Sequence, residues 1–293
     1  MFAASPALRH VVLSEHLCNM DEGPIIKLPL HQIEQLDGIS ASIPGCMQLL
    51  RRCPYLVRCA DFTVTLYGRQ PELKDSDRVT HHLRSLDLSL YLDTEPPEDE
   101  EDANVQRGFE DFFERTELPF LSNLRLNLIW EAVESRPLTS FLSASPQLQR
   151  LVLGVGVMSQ EDFYFIIKAV PNLVELNCYH RSIMFGNLYT QFLPSELGGQ
   201  VLLPNLRKLT LHGQLIIDPM AFTAMIRSRT RVCTHRGEML QLRVYILKGS
   251  SFSVGDLAEV RVILGNRADI RGVENVQGSS WPDFPDFMPI SYD

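Results

Sequence analysis

One short pattern recurs along this chain and limits what it can fold into more than any other feature. It runs apolar, two variable residues, apolar, one variable residue, apolar, and it first appears as Leu8-Arg9-His10-Val11-Val12-Leu13. Clear later copies are Leu83–Leu88, Leu121–Leu126, Leu148–Leu153, Leu173–Cys178 and Leu206–Leu211; Met239–Val244 fits more loosely, and degenerate copies start at Ile33 and Leu56. The nine copies start at 8, 33, 56, 83, 121, 148, 173, 206 and 239, so five of the eight intervals are 23–27 residues, and the others (38, 33 and 33) read as the same unit with an insertion. Leucine-rich repeats have a period of about 20–29 residues. The last three positions alternate as in a half-buried strand, whereas an amphipathic helix would place apolar residues at i, i+3, i+4 and i+7.

Proline stands two residues before the first apolar residue in six copies: Pro6, Pro54, Pro119, Pro146, Pro171 and Pro204. Proline cannot continue a helix, so it marks the end of one and the entry to a strand. Helical spacing does precede several of them: Gly45–Arg52 carries Met47, Leu49 and Leu50, Pro137–Leu142 precedes Pro146, and Gln160–Val170 carries Phe163, Ile166, Ile167 and Val170. Each unit therefore reads as strand, loop, helix, turn. Stacked units predict an α/β leucine-rich-repeat solenoid, a horseshoe with a concave parallel sheet and outer helices. The alternative is an α/β domain in which the leucines coincide by chance.

The array is expected over residues 1–275, with an acidic loop at 93–103 inserted and a tail at 276–293. The run Asp93-Thr94-Glu95-Pro96-Pro97-Glu98-Asp99-Glu100-Glu101-Asp102 reads as a solvated loop, or as a lure for a basic partner. Val105, Phe109, Phe112 and Phe113 predict a helix within Asn104–Thr116, and Phe185–Gln200 reads as a second insertion. A last helix is expected over Gly255–Leu264 with Asp256 near its N-cap, then a short strand at Ala268–Arg271. The proline- and aromatic-rich tail is a cap, a docking peptide or a disordered end.

Segments such as Ser145-Pro146-Gln147-Leu148-Gln149-Arg150-Leu151-Val152-Leu153, Leu203–Leu211 and Arg52–Cys59 resemble fungal-type F-box/leucine-rich-repeat proteins over about residues 1–275. The resemblance implies a substrate receptor of a cullin-type ubiquitin ligase, in which an F-box binds a Skp-type adaptor and the repeats capture the substrate. Here Ser5-Pro6-Ala7-Leu8 already belongs to a repeat, so adaptor binding is expected only if an F-box lies upstream. A structural scaffold with no link to ubiquitination is the other reading.

The formal charge of -9 disfavours general nucleic-acid binding and docking on anionic lipid, and no apolar run approaches the about 20 residues of a membrane helix. Cys18, Cys46, Cys53, Cys59, Cys178 and Cys233 are scattered, which suggests reduced thiols in the cytoplasm or nucleus. There is no phosphate-binding loop, nucleophile elbow or His-Glu-x-x-His pair, and Gly154-Val155-Gly156 lacks a third glycine. Cys178 and His180 alternate along a strand but make only two ligands, and His81-His82 reads as a solvated turn. No enzyme, cofactor or metal is expected.

The third and fifth positions of each copy should project from the concave sheet. They predict a protein-binding face carrying Arg58, Asp87, Asn123, Arg125, Arg150, Glu175, Asn177, Lys208 and Arg243, with His10 and Asp37 added by degenerate copies. Five cations on an acidic chain suit an acidic or phosphorylated peptide, because arginine forks match carboxylate and phosphate. Ordinary polar cover of a sheet face is the alternative.

Overall fold

In every one of the nine copies the third residue of the pattern begins a strand. The computed structural model describes residues 7–13, 28–66, 78–92, 108, 110–128, 136–155, 159–183, 202–216, 218–235, 237–247, 250 and 253–273. The strands are β1 (His10–Val12), β2 (Gln35–Ala41), β3 (Arg58–Leu66), β4 (Val79–Thr80), β5 (Ser85–Leu92), β6 (Thr116–Glu117), β7 (Asn123–Leu128), β8 (Arg150–Val155), β9 (Glu175–Ile183), β10 (Lys208–Leu215), β11 (Gln241–Leu247) and β12 (Ala268–Val273). Ten of them form one parallel sheet in the order β1-β2-β3-β5-β7-β8-β9-β10-β11-β12. The protein is therefore mixed α/β, built on a large parallel sheet whose order follows the sequence. The remaining two, β4 and β6, form a separate parallel pair that the sequence did not suggest.

The copies align residue for residue. Gln35 pairs with Arg58, Arg58 with Ser85, Ser85 with Asn123, Asn123 with Arg150, Arg150 with Glu175, Glu175 with Lys208 and Lys208 with Gln241. Proline supplies the entry turns. Leu56, Leu121, Leu148, Leu173 and Leu206 donate their N–H groups to the carbonyls of Cys53, Leu118, Ser145, Val170 and Leu203 at 3.0–3.1 Å, and a proline follows each of those carbonyls. That is a β-turn with proline at its second position, where a fixed φ and a missing N–H do no harm.

Alternation then sorts the side chains. Leu86, Leu88, Leu124, Leu126, Leu151, Leu153, Leu176, Cys178, Leu209, Leu211, Leu242 and Val244 point to one side and join a single core with the helices. These are α1 (Ile43–Arg52), α2 (Arg136–Ser143), α3 (Gln160–Ala169), α4 (Pro219–His235) and α5 (Ala258–Leu264), with a further helical stretch at 110–115. Ser42 and Ser159 cap α1 and α3, their hydroxyls accepting from the N–H groups of Gly45 and Asp162. The described helices pack on that inward side of the sheet, as crossovers of one hand between parallel strands in sequence order require.

Several expectations are revised. Met239 is 66% exposed, and Leu240 takes the core place that the first leucine fills elsewhere. Thr116 belongs to β6 and not to the preceding helix, which buries Phe112 and Phe113. Asp256 does lie near the N-cap of α5, one residue before Leu257, but inside a 3-10 turn (Gly255–Leu257), and it reaches back to accept from the backbone N–H and hydroxyl of Ser253. His81 is buried, with its Nε2 2.9 Å from the Cys53 carbonyl; only His82 is exposed. The short strand expected at Ala268 is β12, the tenth in the sheet. The acidic loop at 93–103, the insertion at 185–200, Phe109, Cys18 and the tail at 276–293 lie outside the described residues.

Candidate functional site: the open face of the sheet

Three rows of side chains cross the face opposite the core, one row for each outward position of the strands. The first contains Arg58, Ser85, Asn123, Arg150, Glu175, Lys208 and Gln241 in register. The second runs from Asp87 through Arg125, Val152, Asn177 and Thr210 to Arg243. The structure thus brings together on one face all nine residues predicted there: Arg58, Asp87, Asn123, Arg125, Arg150, Glu175, Asn177, Lys208 and Arg243. They differ in exposure. Lys208, Gln241 and Arg243 are exposed, whereas Asn177, Val152 and Thr210 are buried in the floor of the middle row.

Most of the expected basic stripe is paired across strands. Arg125 Nη1 donates to Asp87 Oδ2 at 3.1 Å. Glu175 sits between two cations, 3.2 Å from Arg150 Nε and 3.8 Å from Lys208 Nζ, and its Oε1 also accepts from Asn177 Nδ2 at 3.1 Å. The Arg150 contact has ion-pair distance without hydrogen-bond alignment, since that Nε has no hydrogen-bond partner. His10 Nε2 lies 3.4 Å from Asp37 Oδ2. Strand spacing of about 4.8 Å makes such cross-strand pairs natural.

Among the carboxylates of this face, burial acts most clearly on Asp87. Loss of water pushes its carboxyl up to about 6, outweighing the opposing pull of Arg125, and Asp61 adds to the rise. Asp61 is present because β3 bulges. Ala60 and Asp61 together stand opposite Asp87, and Asp61 takes a left-handed φ of 47°. Gly38 makes the matching irregularity in β2 with φ 76°, and a Cβ there would lie 1.9 Å from the Leu13 carbonyl oxygen.

The third row went unnoticed in the sequence because it lies one step beyond the six-residue pattern. His212 pairs in register with Tyr179 on one side and Tyr245 on the other, with ring centroids 5.9 Å and 5.8 Å apart. Burial holds the His212 imidazole down to about 4, so it is neutral at pH 7. Next to Tyr179 the row continues at Gly154, over which the Asn127 amide lies: a Cβ on Gly154 would meet Asn127 Oδ1 at 2.5 Å. The usable signal was a third outward residue after each leucine pair, with Tyr179, His212 and Tyr245 spaced identically.

The thiols are held away from this face. Cys46, Cys53, Cys59, Cys178 and Cys233 are free and buried, and burial pushes the Cys53 thiol up to about 12 and Cys59 and Cys178 well above their ordinary value. The side chain of His180 lies outside the described ones. Among the described residues no cluster of three or more His, Cys, Asp or Glu is placed to hold a metal ion, and no helix is long and apolar enough to cross a membrane. No protein-family model matches the chain, and no curated protein is significantly similar to it in sequence.

Proposed function

We propose that the chain is a leucine-rich-repeat solenoid, a horseshoe whose concave side is the open face, and that it captures a protein partner there without catalysis. The observation that carries the reading is the pairing of ten parallel strands in sequence order in one sheet. Strands in a sheet sit about 4.8 Å apart, whereas packed helices need about 8–10 Å. A stack with helices on one side only therefore bends toward its strands, which turns the open face inward.

Exposed Lys208 and Arg243, beside the ring row, favour an acidic or phosphorylated segment, because fixed cations next to aromatic surface give both charge recognition and buried area. The resemblance to F-box/leucine-rich-repeat proteins makes substrate capture for a ubiquitin ligase the leading context, with a Skp-type adaptor as a partner only if an F-box lies upstream. Free, buried cysteines suit the reducing cytoplasm or nucleus.

A peptide array of acidic, phosphorylated and basic sequences tests the reading. The wild-type chain retains acidic or phosphorylated members, and the Lys208→Glu/Arg243→Glu double variant loses those without a large apolar side chain by about tenfold or more. Both side chains are exposed, so thermal unfolding of the variant stays close to wild type. Equal retention by the variant overturns the assignment of this face.

A further inference from the structure

A second surface lies on the rim where the chain enters the sheet. In the copies at 56, 121, 148, 173 and 206 the residue just before the first leucine sits at the tip of the entry turn, and His82 holds the equivalent place at the strand entry of the copy at 83. In the copies at 148, 173 and 206 it is Gln147, Asn172 and Asn205, an ordinary polar tip. In three successive copies it is Tyr55, His82 and Phe120. Tyr55 is 67% exposed, Phe120 is 39% exposed, and His82 is exposed with its ring 5.1 Å from that of Phe120. The neighbouring leucines Leu56, Leu83 and Leu121 are fully buried, so the core does not require rings at the tips.

The same three strand entries are tied together by a strand pair and by side-chain contacts. The pair β4–β6 joins the segments ahead of His82 and Phe120. His81 donates its backbone N–H to the Glu117 carbonyl at 3.0 Å, and its buried ring contacts the Cys53 carbonyl. Thr80 donates its hydroxyl to Glu117 Oε2 at 3.1 Å. The rings are thus held on a rigid frame, which lowers the entropy lost when a ligand covers them.

The local charge is opposite to that of the chain. Segments 51–58, 78–84 and 117–122 carry five arginines and one glutamate, although the whole chain is at -9. Arg52 and Arg84 are exposed and have no carboxylate partner among the described residues.

We propose that Tyr55, His82 and Phe120, flanked by Arg52 and Arg84, form a docking surface for a short acidic peptide bearing an apolar side chain, separate from the open face. Charge complementarity selects the acidic partner, and the rings supply the apolar area. Screening limits the favourable field to about 8 Å at physiological salt. A short peptide stays within that range, whereas a nucleic-acid strand would extend over the acidic remainder of the molecule.

Fluorescence anisotropy with a labelled ten-residue Asp/Glu peptide carrying a central leucine tests this on the full chain. The wild type binds it, with affinity falling as salt rises. Tyr55→Gln with Phe120→Asn, the residue types of the other turns, weakens it by about tenfold or more at unchanged melting temperature. In the Lys208→Glu/Arg243→Glu background, which removes the open-face contribution, the peptide still binds, and adding Arg52→Glu/Arg84→Glu there abolishes that remaining binding and its salt dependence, which separates this surface from the proposed function. The proposal is overturned by no peptide binding to wild type, by unchanged binding in the Tyr55/Phe120 variant, or by a single-stranded oligonucleotide that outcompetes the peptide at the same residues.

Discussion

Between β2 and β7 the open face is built from carboxylates and arginines; between β9 and β11 its outer row is a line of tilted, neighbouring rings. The two halves begin their strands in one register. What differs is strand regularity and water. In the first half, bulges at Gly38 and Asp61 insert an extra residue and crowd Asp61 against Asp87, and the Arg125 pair only partly offsets the cost of burying that carboxylate. In the second half β10 and β11 stay in step over Lys208–Gly213, which lets Tyr179, His212 and Tyr245 line up and exclude water from the imidazole. The comparison teaches that once the inward residues specify the stack, the outward rows are free to carry different chemistry from one repeat to the next.

The bulge is the place to break the first half. Gly38→Ala places a methyl against the Leu13 carbonyl in a left-handed backbone, and it should cost on the order of 3–5 kcal/mol in denaturant unfolding, a loss most visible at the β1 edge. A loss below about 1 kcal/mol would show that this half is malleable.

The halves should respond to acid in opposite directions. His212 has a folded value below its unfolded one, so the stability it contributes is present above about pH 6.5 and is lost as the pH falls toward 4. Between pH 7 and 4.5 that loss is roughly 2–3 kcal/mol. Asp87 has a folded value above its unfolded one, so the folded state takes up its proton first, and stability rises by about 2 kcal/mol over the same fall in pH. Urea unfolding at the two pH values should find the acid loss diminished in His212→Phe and enlarged in Asp87→Asn. Slopes unchanged in both variants would mean that neither half titrates as its burial demands.

Where the halves meet, Glu175 holds Arg150 on one side and Lys208 on the other. Arg150→Ala should cost about 1 kcal/mol, because its side chain is only 25% exposed, and Lys208→Ala under about 0.5 kcal/mol, because half its side chain is in water. Equal losses would place the junction wholly in solvent. The smallest effect is expected at Gly154. Its added methyl displaces only the end of the Asn127 side chain, and Gly154→Ala should stay within about 0.5–1 kcal/mol. A cost rivalling that of Gly38→Ala would show the floor to be as tightly built as the bulge.

The strands were legible because each copy carries its own proline turn and its own alternating pair of buried residues, signals that need no distant partner. Even the loosest copy placed Gln241 in register with Lys208, although Leu240 replaced Met239 as the core residue. The helix α4 was not legible. Its buried face runs Phe222, Met225, Ile226, Arg229, Cys233, and the charge in the middle interrupts the apolar stripe. Arg229 is tolerated there because it donates to the carbonyls of Leu202 and Leu203, which frame the turn before β10, while burial lowers its value to about 10. His81 misled for the same reason, since only the fold supplies the Cys53 carbonyl against which it is buried.

The amino-acid sequence alone determined the repeat, the positions of the strands and which residues face outward, because those depend on spacing along one chain. Only the tertiary structure decided that Arg125 faces Asp87, that Glu175 is shared by two cations, that His212 lies between two tyrosine rings and is neutral, and that Tyr55, His82 and Phe120 converge on one rim. Each of those outcomes depends on groups more than twenty residues apart losing water together. Desolvation and pairing are properties of neighbours in space, which spacing along the chain does not encode.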